Sequence, residues 1–251
     1  LVGSEMCIRD RNAPDPKAAG IHSMSTIADN LSTLAARIQA AVTAAGRDPA
    51  GIRLLAVSKT KPADAVREAF AAGVRDVGEN YLQEALGKQA ELTDLPLTWH
   101  FIGPIQSNKT RAIAEHFDWV HSVDRLKIAQ RLSEQRPDHL APLNLCLQVN
   151  VSGEASKSGC TPAELPALAE AIAALPKVRL RGLMAIPEPT DDRAAQDAAF
   201  ARVRALQDSL GLGLDTLSMG MSHDLESAIA QGATWVRIGT ALFGARDYGQ
   251  A

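Results

Sequence analysis

Eight short apolar segments, with a stretch of helical periodicity between each neighbouring pair, restrict the fold of this chain more than any other feature. The strand-like segments lie at 52–59, 74–78, 97–103, 119–123, 143–151, 178–186, 214–220 and 235–244. One helical pattern opens at Thr26 and runs to Ala45, another starts behind Pro62, and the rest occupy 81–92, 109–116, 127–134, 163–175, 193–210 and 225–231. Thr26-Ile-Ala-Asp29 has the spacing of a capping box, with Asp in place of the usual Glu. Pro62 suits a first helical turn. Strands that alternate with helices pair in parallel through right-handed crossovers. Eight such units within about 230 residues fit a closed α/β barrel, the (β/α)₈ TIM barrel, for which about 250 residues is usual. An open doubly wound sheet has the same alternation, because periodicity does not show closure. No Gly-x-Gly-x-x-Gly follows the first strand segment, which argues against a dinucleotide-binding sheet. The expected architecture is one barrel domain over 24–251, without an interior linker.

The first 23 residues stand apart from this pattern. Residues 1–11 have neither period, 12–20 are rich in Pro and Ala, and no apolar core of a secretory signal is present. The opening stretch resembles translated sequencing-adapter text. The natural start is therefore placed at Met24, and 1–23 are read as a disordered or artefactual extension. Composition narrows the class further. The 251 residues are 46% hydrophobic and 22% charged, the balance of a globular core. A formal charge of −3 provides no basic field for nucleic acid or anionic lipid. No run approaches the ~18 apolar residues of a membrane-spanning helix. Cys7, Cys146 and Cys160 are too few and too far apart for a disulfide framework or a zinc site, which points to a reducing, cytoplasmic compartment.

In a barrel, chemistry collects where strands end and loops begin. Lys59 closes the first strand segment in Ala56-Val-Ser-Lys-Thr-Lys-Pro62. A lysine at a strand end is ordinarily a solvated cation. As a nucleophile it adds to an aldehyde only when neutral, so its pKa must fall through desolvation or a nearby like charge. Lys61, beside Pro62, points more naturally to solvent. After the seventh strand, Ser218-Met-Gly-Met-Ser222 places two hydroxyls and a glycine before a helix start, and Gly239-Thr240 adds a second such pair on the eighth. Loops after the seventh and eighth strands form the recurrent phosphate site of such barrels. Arg237 sits inside an apolar strand and needs an acceptor, which is either a salt-bridge partner or a ligand ring nitrogen. The latter would leave a pyridine nitrogen unprotonated and weaken the ring as an electron sink. His100 reads as a ligand contact or a satisfied core histidine. Asn80 reads as a ring contact or as the cap of the helix at Tyr81. No His/Cys cluster has metal-ligand spacing.

Taken together, these segments resemble the pyridoxal phosphate homeostasis proteins. The likeness runs through Ala56-Val-Ser-Lys-Thr-Lys-Pro62, Gly78-Glu-Asn-Tyr81, Trp99-His-Phe-Ile-Gly-Pro-Ile-Gln-Ser-Asn-Lys109, Arg181-Gly-Leu-Met-Ala-Ile-Pro187, Ser218-Met-Gly-Met-Ser222, Val236-Arg-Ile-Gly-Thr240 and Phe243-Gly-Ala-Arg-Asp-Tyr248. It implies a barrel similar to the N-terminal domain of alanine racemase, with pyridoxal 5′-phosphate held as an aldimine on Lys59. It also implies phosphate contacts from Ser218, Met221, Ser222, Gly239 and Thr240, with Arg237 facing the pyridine nitrogen. Asn80 would line the cofactor and His100 would lie near the pocket. The implied role is that of a non-catalytic, cytoplasmic, monomeric carrier that buffers the cofactor and serves apo-enzymes dependent on it, without nucleic-acid or membrane partners. The alternative is a racemase, which needs a second base opposite the lysine. In barrel racemases that base is a tyrosine from an added domain. Tyr81 and Tyr248 are the only tyrosines here, and the family motifs account for both. A cofactor-free aldolase acting on a phosphosugar through Lys59 ranks last, since Arg237 would then lack its ring partner.

Overall fold

The computed structural model describes residues 25–155 and 158–245. The extension before Met24, two residues of the 154–158 loop and the last motif's end at Tyr248 lie outside the described residues. Helix α1 (Ile27–Ala44) opens on the expected capping box. The Thr26 hydroxyl accepts from the Asp29 N–H at 3.1 Å, and the Asp29 carboxylate accepts from the Thr26 N–H at 3.2 Å.

Eight βα units follow. The strands are β1 (Arg53–Val57), β2 (Asp76–Glu79), β3 (Thr98–Phe101), β4 (Trp119–Val123), β5 (Leu143–Gln148), β6 (Val178–Met184), β7 (Thr216–Ser218) and β8 (Trp235–Ile238). Between them lie α2 (Ala63–Ala71), α3 (Leu82–Glu91), α4 (Thr110–His116), α5 (Leu126–Gln135), α6 (Leu165–Ala173), α7 (Arg193–Ser209) and α8 (Leu225–Ala230), with α9 (Thr240–Phe243) after the last strand. All pairings are parallel in chain order, and β8 pairs back onto β1 with Leu55 opposite Arg237. The sheet is a closed barrel. Helix α1 lies across the seam, where the Asn30 side chain donates to the Leu242 carbonyl at 2.9 Å.

Period-two alternation sorts side chains into two cores. On β1, Ala56 faces the helices and Leu55 the barrel interior; on β5, Leu145 and Leu147 face out and Cys146 in; on β8, Val236 and Ile238 face out and Trp235 in. The outer core is a continuous apolar layer between strands and helices. The apolar part of the inner core is small: Leu55, Trp119, Cys146, Met184 and Trp235.

Several strands are shorter than their apolar runs. Segment 143–151 leaves the sheet after Gln148, because Val149 makes only an isolated bridge to Cys160. Segment 214–220 pairs only over Thr216–Ser218. Segment 235–244 is a four-residue strand and a one-turn helix. Gly239 is therefore the N-cap of α9 and Thr240 its first residue, rather than part of a strand. Apolar character reports burial, and Val149, Met219 and Leu242 stay buried past the strand ends.

Candidate functional site

The loops at the carboxyl ends of the strands surround a cavity of about 270 Å³. It gathers seven of the nine expected site residues: Lys59, Asn80, Met221, Ser222, Arg237, Gly239 and Thr240. Val57, Ile102 and Ile186 supply apolar wall, and His223 stands at the rim, 3.4 Å from Asp224. A larger concavity of about 560 Å³ adjoins it, sharing Asn80, Ile102 and Ile186.

Each group arrives there for a local reason. Lys59 follows the end of β1 after one intervening residue, Ser58. The loop after β7 turns at Gly220, whose φ of +99° and close approach to Ala228 (an added Cβ would lie 2.6 Å from that side chain) require glycine. The turn is tied by the Met221 N–H donating to the Asp224 carboxylate at 2.7 Å. It delivers Ser222 beside Gly239 and Thr240 from the next unit. Asn80 does not cap α3, whose N-cap is Tyr81 without a side-chain bond. Instead its Oδ1 is buried in the cavity wall with no hydrogen-bond partner.

His100 and Ser218 do not line the cavity. They lie inside the barrel, in a string of polar groups that ends at Arg237. The Arg237 Nη1 donates to Ser218 Oγ at 2.8 Å, and Ser218 Oγ stands 2.7 Å from His121 Nδ1. His121 Nε2 is 2.9 Å from His100 Nδ1, and His100 Nε2 is 2.9 Å from the Asp76 carboxylate. Arg237 can only donate and the Asp76 carboxylate oxygen accepts, and these two ends set the direction of the links between them. His100 donates to Asp76, His121 donates to His100, Ser218 donates to His121, and Arg237 donates to Ser218. Each imidazole then carries one proton. Burial drives His121 well below the usual histidine range, and His100 is lowered by burial against the opposing pull of Asp76. The chain holds both rings neutral and Arg237 in one orientation, a second N–H group of which donates to the Ala185 carbonyl at 3.1 Å. Burial lowers Arg237 to about 10, which still leaves it protonated at neutral pH.

His121 was missed by sequence reasoning. The signal was present: Trp119-Val-His121 puts the imidazole on the same strand face as an inward tryptophan, the same argument that singled out Arg237. The two described cysteines are buried and do not line the cavity. Burial pushes both Cys146 and Cys160 up to about 12. Among the described residues no group of three or more His, Cys, Asp or Glu could hold a metal, and no helix is long and apolar enough to cross a membrane.

The donor set suits pyridoxal 5′-phosphate. An amine, a guanidinium and a pair of hydroxyls flanking a glycine match an aldehyde, a ring acceptor and a phosphate, and the orphaned Asn80 oxygen is a further polar group available in the wall. Residues 30–247 match the alanine racemase N-terminal domain family. A pyridoxal phosphate homeostasis protein of Pseudomonas aeruginosa is 80% identical over 226 residues, covering 90% of this chain and 98% of that one. Another, from Escherichia coli, is 54% identical over 235 residues, covering 90% and 99%. The chain belongs to the pyridoxal phosphate homeostasis protein family. A solved structure of similar fold is PipY of Synechococcus elongatus with PLP bound, 45% identical at a TM-score of 0.77, covering 87% of this chain and all of that one. The alanine racemase of Corynebacterium glutamicum, 19% identical at a TM-score of 0.62 and covering 88% and 64%, shares the fold.

Proposed function

We propose that this chain binds pyridoxal 5′-phosphate at the barrel mouth and serves its homeostasis in the cytoplasm, as a monomer that stores the cofactor for apo-enzymes rather than turning over a substrate. The observation that carries this reading is the convergence of Lys59, Arg237 and the Ser222–Gly239–Thr240 group on one cavity. When bound, the cofactor supplies an aldehyde that condenses with a neutral amine, losing water. Lys59 provides that amine. Ser222, Thr240 and the backbone of Gly239 would hold the phosphate with Met221 beside it, Asn80 would border the ring, and Arg237 would donate to the ring nitrogen. Ser218 and His100 act through Arg237, holding its guanidinium in place. A guanidinium keeps its proton, so the ring stays a poor electron sink, which favours storage over turnover. The homeostasis name of the relatives supports the same choice. His223, half exposed at the rim, is the candidate second base that turnover would require.

The test is an absorbance titration of the purified protein with pyridoxal 5′-phosphate, borohydride reduction and peptide mapping. The reduced adduct is expected on Lys59, and Lys59→Ala should carry none while retaining weak phosphate-anchored binding. An adduct on another lysine would discard the assignment. Racemisation of amino acids at about 1 s⁻¹ or faster would replace storage by the racemase reading.

A further inference from the structure

Of the segment Gly78-Glu-Asn-Tyr81, only Asn80 lines the cavity, yet Glu79 heads a buried cluster under the loop that carries Lys59. Glu79 is fully buried. Its Oε1 accepts from the Ser58 hydroxyl and from Lys88 Nζ at 2.7 Å, and its Oε2 has no hydrogen-bond partner. Lys88 is only 5% exposed. Its Nζ donates to the Ser58 carbonyl at 2.6 Å and lies 2.8 Å from Glu84 Oε1. That same Glu84 oxygen accepts from the Thr60 N–H at 2.6 Å. The residues on both sides of Lys59 are thus tied to one face of α3, where Glu84 and Lys88 stand one turn apart.

Thr60 shows why the tie is needed. Its φ is +65°, in the left-handed region, which a β-branched residue holds only where its surroundings over-determine it. Burying an ammonium between carboxylates is a poor way to stabilise a fold, since an apolar replacement does as well or better. The cluster makes sense as a device for geometry.

We propose that Glu84 and Lys88 are positioning residues for Lys59, fixing the peptides on either side of it so that its amine is presented to the cavity. The role rests on the reading that Lys59 holds the cofactor. Glu84 is the residue to change, because its side chain is 29% exposed and its loss leaves the Lys88–Glu79 pair intact.

The full chain is compared as wild type, Glu84→Ala and Glu84→Gln. In protein loaded with pyridoxal 5′-phosphate, visible circular dichroism per bound cofactor reads how firmly the chromophore is oriented. Glu84→Ala should lower it by about half and speed cofactor loss about tenfold, with the thermal midpoint of the cofactor-free protein little changed. Glu84→Gln should restore most of both, because its amide oxygen still accepts from Thr60. In cofactor-free protein, trace acetylation with acetic anhydride reads the same clamp directly. Labelling of Lys59 relative to exposed Lys127 should change about threefold in Glu84→Ala. Unchanged dichroism and unchanged labelling would overturn the proposal, as would equal damage in Glu84→Gln. A wild type without an adduct on Lys59 removes the underlying reading instead, and the labelling ratio still decides the clamp.

Discussion

Outside the barrel strands, Val66, Ile113, Leu132, Ile172, Leu183 and Phe200 pack between sheet and helices in an apolar layer. Inside the strands, Leu55, Trp119, Cys146, Met184 and Trp235 share the space with the hydrogen-bonded run from Asp76 to Arg237. The two cores do different work. Each aliphatic side chain buried outside contributes about 1.5–3 kcal/mol, without direction. Each hydrogen bond inside contributes a net of about 1 kcal/mol but fixes a tautomer or an orientation. His100 stacks on Trp119, with ring centroids 5.5 Å apart, so even the apolar neighbours inside serve to hold a polar group still. Stability resides mainly in the outer core, and the set of the cavity wall in the inner one.

That division is open to direct attack. The largest effect is expected from Phe200→Ala, which empties a fully buried site in the outer core. Chemical denaturation should show a loss of about 3–5 kcal/mol, with cofactor affinity of the remaining folded protein unchanged. A parallel loss of affinity would show that the cores are not separable. Arg237→Met should do the reverse. Affinity for pyridoxal 5′-phosphate, measured by fluorescence titration, should fall about 10–100-fold through loss of a charge-assisted donor. Stability of the cofactor-free protein should move by less than about 1 kcal/mol, because an apolar side chain replaces a buried charge.

The smallest effect sharpens the picture of the inner string. Both buried imidazoles titrate below the ordinary histidine range. Below about pH 6.5 the unfolded chain therefore binds protons that the native chain does not. Stability is lost as pH falls, by up to about 1.4 kcal/mol per pH unit for each histidine, until the lowered native values are reached. His121→Gln should remove one histidine's share of that slope between pH 6.5 and 5. Equal slopes in wild type and variant, measured by urea unfolding, would show that His121 is an imidazolium in the native protein over that range.

Much of this organisation was legible beforehand. Apolar runs at regular intervals marked eight strands, Thr26 and Asp29 marked the first helix start, and the polar residues behind the strands marked the end of the barrel where the cavity lies. These are local properties, because a period of two or of 3.6 records which side of an element is buried. Closure was not legible in any local property, since nothing local tells β8 to pair with β1, and its expectation rested on the count of eight units and on the family resemblance. Nor was the placement of His100 and Ser218 beneath the cavity rather than on it. His121 meets Ser218 across 97 residues of sequence, and Thr60 meets Glu84 across 24. By itself the sequence determined the elements, their order and the residues capable of chemistry. The tertiary structure alone decided which of those residues touch, because strand closure around a common axis brings inward side chains together irrespective of their separation along the chain.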